Sequence, residues 1–188
     1  MKRILLAAVL ALPLAAQASE DLSYSYIGFG ATYVDPDGFS GENGFGAEAS
    51  GAITENWHLF GGFQTVDIDN QADVDNWNVG IGYNMGINDH LDLVARLSYE
   101  QTDVSFSDPD LDDFDGSDDG VGLRVGVRNA FNENFEGGVG VAYTNYSGSD
   151  STALFANAQF KFGDWGIVAE ALASDDGTSI YVGPRLSF

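Results

Sequence analysis

Large apolar side chains recur at every second position along most of this chain. In Trp77-Asn78-Val79-Gly80-Ile81-Gly82-Tyr83-Asn84-Met85 the odd positions are large and apolar, and the even ones are Asn or Gly. A helix would gather Trp77, Ile81 and Met85 but would also carry Gly and Asn residues that weaken it. A period of two, that of a strand with two unlike faces, explains every position. Val121, Leu123, Val125 and Val127 alternate in the same way with Gly122, Arg124, Gly126 and Arg128. So do Leu91, Leu93, Ala95, Leu97 and Tyr99 with Asp92, Val94, Arg96, Ser98 and Glu100. The alternation runs to the last residue, with Ile180, Val182, Pro184, Leu186 and Phe188 set between Ser179, Tyr181, Gly183, Arg185 and Ser187.

The pattern predicts ten strands, at 22–34, 44–53, 57–66, 76–86, 91–103, 120–128, 135–146, 152–162, 165–173 and 178–188. A tilted strand needs about 9–11 residues to cross a bilayer, and most of these segments are that long or slightly longer. Connections after the odd segments are generally longer and more acidic, the longest being 104–119; those after the even segments are short. Long loops at one end and short turns at the other suit an up-and-down transmembrane barrel with both termini at the turn end. In the first strand the parity change around Ile27-Gly28-Phe29-Gly30 predicts a bulge. Pro184 has no N–H for a ladder and predicts an irregularity near the turn-side rim.

Charge separates this barrel from a water-soluble β-sandwich, which would also alternate. Arg96, Arg124, Arg128, Lys161 and Arg185 all fall on the polar parity of their strands, as do Glu48, Asp92, Glu100, Glu136 and Glu170. Arg or Lys facing lipid at mid-membrane costs about 2–4 kcal/mol, so these ten groups are expected to turn inward and pair. Antiparallel order is expected to cluster Asp92, Arg128 and Glu136 near the turn end, with Arg96, Glu100 and Arg124 higher. Inward glycines such as Gly80, Gly82, Gly122, Gly126 and Gly140 relieve crowding inside a narrow barrel. Aromatics form two belts, as at two membrane interfaces. Tyr24, Tyr26, Trp57, Phe135, Phe162, Trp165 and Phe188 are assigned to the turn side, and Tyr33, Phe45, Phe63, Trp77, Tyr99 and Tyr143 to the loop side.

The N-terminus, MKRILLAAVLALPLAAQAS, has Lys2 and Arg3, an apolar run from Ile4 to Ala16, and the small-x-small triplet Ala16-Gln17-Ala18. That is a secretory signal peptide over 1–18, leaving a single domain over 19–188. Without Lys2 and Arg3 there are five cations against 29 acids, a formal charge of −24. Such a chain repels nucleic acid. It has no Cys, so it has neither disulfides nor thiolate metal sites.

The signal peptide, the alternating strands and the terminal Phe together resemble the small bacterial outer-membrane barrels of the broad OmpA, OmpX and opacity-protein type, over essentially all of 19–188. The resemblance implies an outer-membrane location and a final strand read as a signal by the barrel assembly machinery. Ile180, Tyr181, Val182, Leu186 and Phe188 occupy the matching positions, and Pro184 is an unusual member of that strand. The smallest members have eight strands, so eight remains the alternative to ten if two segments are extensions above the membrane.

Catalytic chemistry finds little to work with. His58 and His90 are the two histidines, and both belong at the turn end, away from the long loops. Asp108, Asp110, Asp112, Asp113 and Asp115 suggest a calcium loop, but aligning Gly116 to the loop glycine puts Leu111 at the first ligand position and Gly122 at the twelfth. No cofactor and no dedicated metal site is expected. Clustered carboxylates still call for screening by calcium or magnesium beside lipopolysaccharide, itself anionic. The expected role is structural or surface-interacting, with acidic extracellular loops around a charge-paired interior. A narrow, cation-preferring porin is the alternative, and an outer-membrane hydrolase the third reading.

Overall fold

The computed structural model describes residues 22–38, 40–68, 72–106 and 116–188. The expected signal peptide and the run from Asp108 to Asp115 lie outside them. The described residues form ten strands: β1 (Tyr26–Pro36), β2 (Glu42–Ala52), β3 (Trp57–Ile68), β4 (Ala72–Asn88), β5 (Leu91–Phe106), β6 (Gly116–Asn132), β7 (Phe135–Tyr146), β8 (Asp150–Phe162), β9 (Trp165–Ser174) and β10 (Gly177–Ser187). Each pairs antiparallel with its neighbours in sequence, and β10 returns to β1, closing the barrel. Closure leaves no strand edge without a partner, which is what a sheet surrounded by hydrocarbon requires.

The two faces differ as the alternation demands. Ile27, Phe29, Leu59, Val79, Ile81, Leu97, Val139, Val141, Leu154, Ile167 and Val182 are all exposed on the outside of the sheet. A water-soluble barrel would reverse this, with polar groups out and apolar groups in. Here the inside is polar: Thr32, Ser50, His58, Asn84, Asp92, Ser98, Glu136 and Gln159 are buried.

Three features differ from the sequence reading. First, β1 begins at Tyr26, and residues 22–25 precede it without strand structure. Second, β1 carries no bulge. Tyr26, Gly28, Gly30 and Thr32 face inward and Ile27, Phe29, Ala31 and Tyr33 outward in one unbroken parity, and the register with β2 is continuous from Tyr26↔Ser50 to Val34↔Glu42. The register shifts fall instead at the turn ends of two other pairs, between Gly86 and Asn88 and between Ala130 and Asn132. Third, β4, β5 and β6 run to 17, 16 and 17 residues. Their hairpins stay paired well past the outer aromatic residues, taking in much of what reads as loop in the sequence.

Near Pro184 the β1–β10 ladder is interrupted without slipping. Pairing runs Gly28↔Arg185, then resumes at Ala31↔Val182, with no pair between for Phe29 and Gly30. Gly30 and Gly183 meet across this gap so closely that a Cβ on Gly30 would lie 2.7 Å from the Cα of Gly183. The missing side chains let the two backbones approach where proline has no N–H to bond.

Candidate functional site: the charged lumen and its closed end

All ten ionised residues singled out in the strands face the interior. Eight of them line a lumenal cavity of about 390 Å³: Glu48, Arg96, Glu100, Arg124, Arg128, Glu136, Glu170 and Arg185. Asp92 is fully buried below it, and Lys161 reaches Glu136 at 3.3 Å. The pairing is less local than strand adjacency suggests. Arg124 on β6 meets Glu170 on β9 at 2.9 Å, and Arg185 on β10 meets Glu48 on β2 at 2.6 Å. The first bridge reaches across the lumen past β7 and β8, whereas the second passes over Gly28 of β1, whose ladder partners are Arg185 on one side and Glu48 on the other. Arg128 does pair with Glu136 on the adjacent strand, and Arg128 stands opposite Asp92 in the ladder.

The structure does not join Arg96, Glu100 and Arg124 to one another. Arg96 and Arg124 stand side by side across β5 and β6, so two like charges share one level. Arg96 instead donates Nε–H to Nε2 of His58 at 3.1 Å and Nη2–H to the Tyr26 hydroxyl at 3.2 Å. Glu100 accepts from Ser98 on its own strand. Four guanidinium groups lie over aromatic rings: Arg124 over Phe155 and Arg185 over Tyr26, each 4.1 Å from the centroid, Arg96 over Phe60 at 4.9 Å, and Arg128 over Tyr24 at 5.0 Å. These ring faces add negative potential beside the carboxylate partners of Arg124, Arg128 and Arg185, and serve Arg96 in place of one.

Inward glycines make room for this layer. Phe155 lies against Gly126 and Gly140, where a Cβ on either would strike its ring, and Phe60 lies against Gly80 in the same way. His58 occupies the space that a side chain at Gly82, its ladder partner, would need.

The turn end of the lumen is stoppered by residues 22–25. The Tyr24 hydroxyl donates to Oδ2 of Asp92 at 2.8 Å, and its ring stacks on His58 with centroids 4.8 Å apart. Arg128 covers the same ring and donates Nη1–H to the Ser23 carbonyl at 2.8 Å. Ser50 donates to the Tyr24 carbonyl at 2.7 Å. Leu22 packs with Tyr24, Ala130 and Val94. The Phe188 N–H donates to the Ser25 carbonyl at 3.0 Å, tying the last residue to this segment.

Tyr24 and Tyr26 therefore belong to the lumen and not to the turn-side aromatic belt; they are 5% and 3% exposed. Lipid-facing and lumenal tyrosines look alike in sequence, but these two have hydroxyl partners inside, in Asp92 and Arg96. Their parity was the available signal, since both share the even positions of Gly28, Gly30 and Thr32. His58 and Asn84 were also missed as members of the stopper. Asn84 donates its Nδ2–H to the Glu55 carbonyl at 3.0 Å, so its Oδ1 accepts from Nδ1–H of His58 at 3.2 Å. With Nε2 accepting from Arg96, His58 is held neutral and both ring nitrogens are occupied.

Of the terminal-strand residues, Ile180 and Val182 project outward, Tyr181 faces the lumen, and Leu186 stands between Ile27 and Trp165 in the ladder. Phe188 is 73% exposed.

A closed antiparallel sheet with apolar residues outside and paired charges inside is a transmembrane β-barrel. The chain belongs to the family of the outer membrane protein beta-barrel domain, whose model matches residues 4–183, and it resides in the outer membrane. Among solved structures it is similar to the KdgM porin, at 13% identity and a TM-score of 0.50, over 87% of this chain and 99% of that one. It is also similar to Ail of Yersinia pestis (17% identity, TM-score 0.43, 87% and 95% covered) and to OprG of Pseudomonas aeruginosa (14%, 0.44, 92% and 99%). At these identities the likeness concerns the fold alone. Among curated proteins no sequence relative matches.

Proposed function

We propose that this protein is a non-conducting outer-membrane barrel with a structural or surface-interaction role, presenting acidic loops outside the cell. The observation that carries this reading is the stopper: Tyr24 sits across the turn end of the lumen, held by Asp92, His58, Arg128 and Ser50. An ion crossing the barrel would have to displace these groups and break a buried hydrogen bond to a carboxylate.

The termini share the short-turn end, and this supports a periplasmic placement for it. The acidic hairpin ends then face outward. There Asp67 stands opposite Asp73, and Asp75 opposite Asp103. Like charges in such pairs repel, which supports screening by divalent cations shared with lipopolysaccharide phosphates. Ile180, Tyr181, Val182, Leu186 and Phe188 would serve the barrel assembly machinery during insertion, after export and removal of residues 1–18. A catalytic role for His58 is disfavoured because neither ring nitrogen is available to a substrate, and His90 lies on the exposed turn between β4 and β5.

Conductance tests the reading. The mature protein, reconstituted in planar bilayers, should give no stable single-channel steps. Reproducible steps with cation selectivity would establish the narrow porin in its place.

A further inference from the structure

We propose that the outer half of the lumen is a binding vestibule for a small organic cation, an ammonium group, centred on Glu100. The inference rests on the closed-lumen reading, since a blind vestibule needs a closed floor.

Glu100 is an inward carboxylate with no salt bridge and no hydrogen bond from a cation among the described residues. Its partner is the Ser98 hydroxyl. Room for the carboxylate comes from Gly122, the ladder partner of Ser98. A Cβ there would lie 2.5 Å from Oε1 of Glu100 and 2.7 Å from Oγ of Ser98. Asn78 stands directly opposite Glu100 on β4, and Thr144 opposite Gly122 on β7. With Gln64 of β3, they line the same cavity. Among the described residues, the side chains of Gln64, Asn78 and Thr144 make no hydrogen bond to protein, so their oxygens are free to accept. One carboxylate surrounded by amide and hydroxyl oxygens matches an ammonium, which carries one charge and up to three N–H donors. A divalent ion wants more carboxylates, and no group of three or more metal-ligating side chains is assembled among the described residues.

The electrostatics of the barrel point the same way. Asp67, Asp73, Asp75, Asp103, Asp118 and Asp119 lie above Glu100 at the outer ends of β3 to β6 and draw cations toward that side of the mouth. Arg96 and Arg124, side by side below it, repel a cation that tries to go deeper. A positive solute is thus attracted to the level of Glu100 and stopped there. The vestibule is the outer part of a lumen of about 390 Å³ that reaches down to Tyr24 and Arg128, so it has room for a small molecule only.

The test is a titration of the isotope-labelled mature protein in micelles with n-butylammonium, followed through backbone amide shifts, with n-butanol as the neutral probe. Shifts should concentrate at Asn78, Glu100 and Thr144 with the amine and be absent with the alcohol. Glu100→Gln should weaken binding at least tenfold. Asp119→Asn, at an outward acid of the same hairpin, should change it less than twofold. Asn78→Leu, which keeps the shape and removes the amide, should weaken it about fivefold; it serves if Glu100→Gln does not fold. Equal losses in the Glu100 and Asp119 variants, or shifts spread over the loops, would overturn the vestibule in favour of diffuse attraction to the acidic mouth. A conducting wild-type barrel would refute the stopper and with it the closed floor of the vestibule, whereas a non-conducting barrel without amine shifts at Glu100 would refute the vestibule alone.

Discussion

The Tyr24 hydroxyl meets the Asp92 carboxylate at 2.8 Å, joining residues 68 positions apart in the chain. The bond draws the segment before the first strand into the barrel and holds it against the fully buried Asp92. Tyr24→Phe keeps the ring between His58 and Arg128 but takes the donor from Asp92. A hydrogen bond to a charged group contributes about 1.5–3 kcal/mol. Urea unfolding of the variant in lipid vesicles should show a loss of that size, and Tyr24→Ala, which also empties the stack, a larger one. Stability equal to wild type in both would mean that the segment does not fill the lumen.

Breaking the ion pairs should cost unequal amounts. Glu136 receives both Arg128 and Lys161 and its side chain is 4% exposed. Glu136→Gln strands two cations in a buried place, where losing one partner costs about 3–5 kcal/mol. Arg124 and Glu170 keep 31% and 28% of their side-chain surface in the open lumen, so water screens them and Glu170→Gln should cost less. The same unfolding measurement ranks the two, and the reverse order would contradict the burial described.

Gly82→Ala places a methyl where the His58 ring lies. The ring is fully buried and bonded at both nitrogens, so it has nowhere to move. Overpacking of this kind costs about 1–3 kcal/mol. Gly51→Ala, with nothing within 4 Å of the added carbon, should be neutral within about 0.5 kcal/mol. Comparable thermal stability of the two variants would show that Gly82 does not shape the stopper.

The barrel itself was legible because alternation is a direct imprint of a two-faced sheet. Trp77 to Met85 and Val121 to Arg128 each admit one reading once period two is recognised, and charges on the polar parity give the direction. Strand ends were less legible. The hairpins of β4, β5 and β6 continue past Trp77 and Tyr99 into Asp-rich sequence, where backbone pairing persists although the side chains resemble a loop. The stopper was hidden for another reason. Tyr is at home both at a lipid interface and beside a buried carboxylate, so Tyr24 and Tyr26 could be placed on the correct side only by following the parity of Gly28, Gly30 and Thr32 backward. The pair of Arg124 with Glu170 depends on barrel diameter and strand tilt, which no local pattern encodes, and that of Arg185 with Glu48 on the closure of β10 onto β1, which sets both beside Gly28.

The most direct test of the account asks which face of the sheet meets hydrocarbon. The chain has no cysteine, so single cysteines bearing a spin label can be placed at each position from Val139 to Thr144 of β7 in a reconstituted bilayer. Collision with oxygen, which concentrates in lipid, should be high at Val139, Val141 and Tyr143 and low at Gly140, Ala142 and Thr144. A uniform profile, or high collision at the even positions, would contradict a lipid-facing outer surface around a charged interior.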